Sequence, residues 1–184
     1  MPHSKKLPAE LKARNAELKK LTFECVTEAL LSLMRTKDYD SISVTEICRK
    51  AGVSRNTFYK SFKTKDNVFR HIVVFINRDV IYRNLGNPFG KELKKEWYIK
   101  YFEIVAEYAE WFCTIIRAGL VGVYMSQTNK IFVSGTMSDS RRFARLMWSG
   151  AIQNATVEWL SGGMKQSASE MAEICSRLPG DGIY

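Results

Sequence analysis

A chain of 184 residues, 46% hydrophobic and 26% charged, is composed like a soluble globular protein and can bury one good core or two small ones. Its apolar runs fall short of the roughly 20 residues needed to span a bilayer, its polar start lacks the apolar centre of a signal peptide, and two histidines leave a histidine-dependent enzyme almost no candidates. These features point to a cytoplasmic protein with no membrane contact. The net charge of +9 is uneven: residues 1–70 carry 15 Lys and Arg against 8 Asp and Glu, whereas residues 71–184 carry 13 against 11.

Only four prolines and eleven glycines interrupt stretches rich in Leu, Ile, Ala, Glu and Lys, and no alternating strand pattern stands out, so an all-α fold is expected. A long first helix is predicted from about Pro8 or Asn15 to Thr36. Its buried stripe is Leu18, Leu21, Cys25, Val26, Ala29, Leu30 and Leu33. Asp38 and Asp40 break it. Val44, Ile47, Cys48 and Ala51 then fall on one face of a second, short helix that Ser43 can cap, and Gly52 stops it with a left-handed turn. Ser54 caps a third helix anchored inward by Phe58 and Phe62. Arg55, Asn56, Thr57, Tyr59 and Lys60 must then face solvent from its N-terminal half.

Those side chains are the kinds that read DNA: Arg forks onto guanine, Asn onto adenine, Thr meets a thymine methyl or a phosphate, and Tyr and Lys hold phosphates. Residues 49–70 contain seven basic side chains against Asp66 alone, a cluster that repels itself until phosphates neutralise it. Lys5, Lys6, Lys19 and Lys20 read as a solvated face, with the Lys5-Lys6 segment a flexible stretch that offers a secondary grip on DNA. An ordinary pair of charged surface helices is the plainer alternative.

The run Ala51-Gly-Val-Ser-Arg-Asn-Thr-Phe-Tyr-Lys-Ser-Phe-Lys-Thr-Lys-Asp66, with Val68 and Phe69 beyond it, resembles the signature of the TetR family of transcriptional regulators. Tyr59, Phe62 and Lys65 match the end of that family's recognition helix and the Lys that opens its fourth helix. The likeness reaches upstream through Asp38–Glu46 and covers roughly residues 18–76. It implies an N-terminal three-helix helix-turn-helix DNA-binding domain (residues 1–64), a connecting fourth helix (65–83) and a C-terminal helical effector-binding and dimerisation domain (84–184). It also implies a homodimer on a roughly palindromic double-stranded operator, contacting DNA through Ser43, Thr45, Ser54, Arg55, Asn56, Thr57, Tyr59, Lys60 and Lys65. A repressor modulated by a small molecule is the leading reading; an activator, or an adaptor working through protein contacts alone, is the alternative.

Farther along, Thr64 caps a fourth helix with Val68, Phe69, Ile72, Val73 and Ile76 on one face, running to about Arg83. The loop Asn84–Gly90 ends it. Residues 91–118 read as one helix, unusually aromatic. Trp97, Tyr101, Phe102, Tyr108, Trp111, Phe112 and Tyr124 are either core or, taken together, the walls of an effector pocket of the kind TetR-like proteins hold. Glu103, Glu107 and Glu110 form an acidic stripe read as solvated or salt-bridged.

Gly119 and Gly122 mark a turn before a shorter helix to about Phe132. Val133-Ser-Gly-Thr136 then leads to a long helix, about Asp139 to Ser161, apolar on two faces: Phe143, Met147, Gly150 and Ala151 on one, Trp148, Ile152, Ala155 and Trp159 on the other. One face suits the chain's own core and the other a second subunit. Ser167 to Glu170 is a capping box for a last helix with Met171, Ile174, Cys175 and Leu178, stopped by Pro179-Gly180. Phe143, Met147, Trp148, Ile152, Ala155, Trp159, Met171 and Ile174 are the candidate dimer residues, and two such helix pairs would form a four-helix bundle. The tail from Glu158 to Ala172 resembles a TetR subgroup that includes regulators of dihydroxyacetone kinase operons. The four cysteines lack metal-ligand spacing, His3 and His71 have no ligand partners in sequence, and no metal or cofactor is expected.

Overall fold

The computed structural model describes residues 9–89 and 95–177. The expectations for His3, Lys5, Lys6, Pro8, residues 90–94, Leu178, Pro179 and Gly180 lie outside it. The described residues are helical and contain no strand. They divide into two compact units, Met1–Phe69 and Arg70–Tyr184, with the boundary inside the fourth helix.

In the first unit, α1 spans Ala9–Met34. It packs on α2, and Val26, Ala29, Leu30, Leu31 and Met34 of its C-terminal half are buried. The expected stripe starts too early. Leu18 and Leu21 are more than half exposed, because the first turns of α1 extend past the elements they were expected to cover, while Leu31 and Met34 join the core instead. A 3-10 turn at Tyr39–Ser41 follows, then α2 (Val44–Ala51) and α3 (Arg55–Ser61). Ile47, Cys48, Phe58 and Phe62 close the core beneath them. Phe23, Phe58 and Phe62 form an aromatic cluster, with ring centroids 6.5 Å apart for Phe23 and Phe62 and 5.6 Å for Phe58 and Phe62.

The helix that opens at Lys65 changes pitch along its length. α4 (Lys65–Phe75) passes into a π-helical segment, Ile76–Tyr82, closed by a last α turn, α5 (Arg83–Leu85). Widening the turn inserts an extra residue per repeat, which re-aims side chains relative to an ordinary helix. Asn77 lies buried in this segment, and its Nδ2 donates to the Val73 carbonyl (2.9 Å) and to Thr128 Oγ1 (3.1 Å).

In the second unit the single helix expected over 91–118 is two helices among the described residues. α6 spans Lys95–Glu107 and α7 Ala109–Arg117, with a kink at Tyr108 where no Gly or Pro stands. Gly119, at φ 68°, makes the next turn, but Gly122 lies inside α8 (Val121–Phe132). α9 covers Asp139–Ser161 behind a Ser138 cap, and α10 covers Ala168–Arg177. Ser167 and Glu170 form the expected capping box, Ser167 N donating to Glu170 Oε2 (2.7 Å) and Glu170 N to Ser167 Oγ (3.2 Å). α10 packs along α6, and α9 against α7 and α8. A salt bridge from Lys95 to Glu173, shared with Arg177, ties α6 to α10 at the surface.

α9 separates its two apolar faces cleanly. Trp148, Ile152 and Trp159 are buried in the unit's own core, and Met171 of α10 is buried too. Those four candidate dimer residues therefore belong to the subunit's interior: Trp159 lies with its ring 5.2 Å from that of Phe102 and donates from Nε1 to the Gln166 carbonyl (2.9 Å). Phe143, Met147 and Ile174 are 61%, 58% and 52% exposed. Ala151 is exposed as well and Ala155 half-buried.

Candidate DNA-binding surface and effector cleft

The reader is built by three local devices. Ser43 Oγ accepts from Glu46 N (3.2 Å) while Glu46 Oε2 accepts from Ser43 N (2.9 Å), which satisfies two of the amides that every helix start leaves open. Gly52 ends α2 at φ 66°, ψ 26°, the left-handed conformation that a side chain disfavours, and turns the chain into α3. Ser54 Oγ then accepts from Thr57 N (3.1 Å) and bonds the Thr57 hydroxyl (2.8 Å), so α3 starts at a fixed orientation. Lys63 leaves α3 at φ 66°, unusual for a residue with a side chain.

Because Phe58 and Phe62 take the inward positions, Arg55, Asn56, Thr57, Tyr59 and Lys60 are all exposed on one side of α3. Arg55 and Tyr59 are one helical turn apart. The guanidinium lies 5.9 Å from the Tyr59 ring centroid, so the ring limits where the Arg fork can go. Ser43, Thr45 and Ser54 are exposed beside this row. Glu46 stays ionised, its charge paired with Lys37: a side-chain bond from Lys37, with further bonds from Ser43, holds its carboxyl down at about 2.

Lys65 departs from the expectation of a phosphate-gripping side chain. Its ammonium donates to the carbonyls of Tyr39, Asp40 (3.4 Å) and Ile42 (3.0 Å) and stands 4.3 Å over the Tyr39 ring. Tyr39 in turn donates from its hydroxyl to Asp66 Oδ1 (2.8 Å). With its three donors spent on the turn between α1 and α2, Lys65 is a clasp that fixes the first unit.

Within the second unit a cleft enclosing about 360 Å³, part of it open to solvent, is lined by residues that include Asn77, Ile81, Trp97, Tyr101, Tyr124, Thr128, Phe132, Trp148, Ile152 and Gln153. It is narrow, with room inside for little more than a single water. Trp97 stacks on Tyr101 (5.3 Å, 11°) and meets Trp148 edge-on (5.5 Å). Of the seven aromatics considered for a pocket, Trp97, Tyr101 and Tyr124 line it. Phe102, Tyr108, Trp111 and Phe112 do not: Phe102 is fully buried against Tyr101 and Trp159, Tyr108 and Trp111 pair with each other (5.7 Å), and Phe112 meets Tyr124 from behind (5.8 Å).

Asn77, Thr128 and Gln153 were not among the expected lining residues, and Trp148 and Ile152 were expected elsewhere; Phe132 closes the aromatic region that begins at Trp97 and does line the cleft. Buried amides interrupting apolar stripes at 77 and 153 were the signal available. Burial pushes the Tyr101 phenol up to about 12, even though its bond to Thr156 Oγ1 (3.0 Å) works the other way, and it raises Tyr124 as well. Both phenols therefore stay neutral. Cys48 and Cys175 are buried, with thiols raised by desolvation, whereas Cys25 and Cys113 are only partly covered. Among the described residues no group of three or more His, Cys, Asp or Glu could hold a metal. No helix among them is long and apolar enough to cross a membrane.

A Ser54-capped helix with a polar, basic outer row, joined to α2 by the Gly52 turn and set in a three-helix unit, defines a helix-turn-helix architecture. Residues 26–72 match the family described as bacterial regulatory proteins, tetR family. That match runs from the C-terminal part of α1 through α2 and α3 into α4. The fold as a whole is similar to the crystal structure of Thermus thermophilus FadR, a TetR family transcriptional repressor, in complex with lauroyl-CoA: 16% identity, 88% of this chain and 95% of that chain covered, TM-score 0.53. No curated protein matches the sequence.

Proposed function

We propose that the chain is a TetR-like transcriptional repressor that binds a roughly palindromic operator as a homodimer and releases it when a small molecule occupies the cleft of the second unit. The observation that carries this reading is the exposed row Arg55, Asn56, Thr57, Tyr59 and Lys60 on a Ser54-capped helix, inside the segment that matches the tetR family. In it Arg55 and Asn56 read base edges, and Tyr59, Lys60, Thr45 and the Ser43 and Ser54 caps hold phosphates. The open stripe of Phe143, Met147 and Ala151 on α9, with Ile174 on α10, supports a second copy as partner, since water-exposed Phe and Met at helical spacing suit burial against a like surface.

For the effector, an aromatic cleft supports an organic small molecule. FadR's lauroyl-CoA is an instance of such a ligand in a similarly folded protein. The cleft is narrow, so Trp97 and Trp148 must part to admit one. The tail's likeness to regulators of dihydroxyacetone kinase operons adds nothing about the ligand.

Selection of bound fragments from randomised DNA tests the central reading. Enrichment of an inverted repeat, with affinity falling steeply as salt rises, is the expected result. Weak binding without sequence preference would favour the adaptor.

A further inference from the structure

Two polar atoms in the walls of the cleft have no partner among the described residues: Gln153 Oε1 and Trp97 Nε1. Gln153 is 4% exposed. Its Nε2 donates to the Ser149 carbonyl (3.1 Å) and the Ser149 hydroxyl (2.6 Å). A carbonyl can only accept, so this bond fixes which end of the amide is nitrogen and leaves Oε1 as the open acceptor. The Trp97 indole offers a donor and nothing else. A buried polar atom without a partner weakens the fold, so an unmet acceptor and an unmet donor bordering one cleft are a reason for something to bind there.

The remaining walls say what that occupant is. Trp97, Tyr101, Phe132 and Trp148 present ring faces and edges. No described lining residue is charged, and an ion brought among them would lose its hydration without a counter-charge. Arg145 is not among the lining residues: its Nη1 donates to the Phe132 carbonyl (2.9 Å) and its guanidinium lies 4.7 Å from the Phe89 ring centroid, although its buried Nε also lacks a partner among the described residues.

Resting on the reading of this cleft as the effector site, we propose that it takes an uncharged, flat, ring-bearing molecule with a carboxamide or lactam, whose N–H donates to Gln153 Oε1 and whose carbonyl accepts from Trp97 Nε1. Gln153 and Trp97 are then the residues that set ligand specificity.

Three matched probes test this on the full chain: 2-naphthamide, naphthalene and 2-naphthoate, with affinities from calorimetry and the site located by the indole N–H resonances of Trp97 and Trp148. The expected order places the amide roughly three- to tenfold or more ahead of both others, the yield of one to two net hydrogen bonds. Gln153→Leu and Trp97→Phe should each remove most of that advantage, measured as the ratio of amide to naphthalene affinity on the same variant. Should a variant fail to fold, the ranking on the native chain decides by itself. Naphthoate binding as tightly as the amide, through Arg145, or an amide advantage that survives both substitutions, overturns the inference while the cleft remains an effector site. If no probe moves the Trp97 and Trp148 resonances, the effector reading falls with it.

Discussion

Arg55 and Lys65 are both basic residues of the first unit, yet their surroundings give them opposite duties. Arg55 is exposed, with its guanidinium beside the Tyr59 ring, so Arg55→Ala should leave the urea midpoint unchanged, cost about 1–3 kcal/mol in operator binding and relax preference at one base pair per half-site. A uniform loss over all sequences would make it a phosphate contact instead. Lys65 spends its ammonium on three carbonyls, and Lys65→Met should lower stability by about 1–3 kcal/mol in urea titration while leaving sequence preference intact. Gly52 is a third case. A Cβ built on it meets nothing within 4 Å, so Gly52→Ala should cost only the left-handed backbone penalty of about 1–2 kcal/mol. Glu46 carries the pH dependence of the α2 cap: with its folded pKa at about 2 against an ordinary 4.5, the cap's contribution is whole above pH 4.5 and fades as pH falls toward 2. Carboxyl resonances followed from pH 6 to 1.5 should place Glu46 at the low end, and Lys37→Ala should move its midpoint upward.

Among the elements, α2 and α3 were legible because their punctuation is chemical: Ser43, Gly52 and Ser54 each do a backbone job that few other residues do. The bounds of α9 were legible for a similar reason, with Ser138 capping it and Gly162-Gly163 beyond its end. The kink at Tyr108 and the π-helical stretch Ile76–Tyr82 were not, since neither carries a Gly or Pro and both depend on packing within the second unit. Periodicity found both apolar faces of α9 but could not rank them, because Phe143 and Met147 are as apolar as Trp148 and Ile152. Burial ranks them, and the ranking makes a prediction. Met147→Glu should stay folded by circular dichroism and sediment more slowly, as a monomer, while Trp159→Glu should unfold the second unit by placing a charge against Phe102. A Met147→Glu protein still fully dimeric would move the interface off α9. The cleft was half legible for the same reason: aromatic density located Trp97, Tyr101 and Tyr124, but which other rings face an opening is a matter of how helices meet.

At the scale of the whole molecule, the charge asymmetry and the cleft divide the work between the two units. The first holds most of the net positive charge, 14 Lys and Arg against 8 Asp and Glu where the second has 14 against 11, and the second holds a neutral, ring-lined space. If occupancy of that space controls DNA binding, thermodynamics imposes a reciprocal condition. An effector that weakens operator affinity by some factor must itself bind more weakly, by the same factor, to the operator-bound protein. Typical couplings are about 1–3 kcal/mol, large enough to read by titrating effector with and without saturating operator. Trp97→Phe changes the cleft and leaves the α3 row alone, so its effector-free operator affinity should match the native chain's. Its release of DNA should need more effector, because a ligand shifts an equilibrium only through its difference in affinity for the two states. Equal effector affinity for free and DNA-bound protein would show that occupancy and DNA binding are independent, and the second unit would then serve assembly alone.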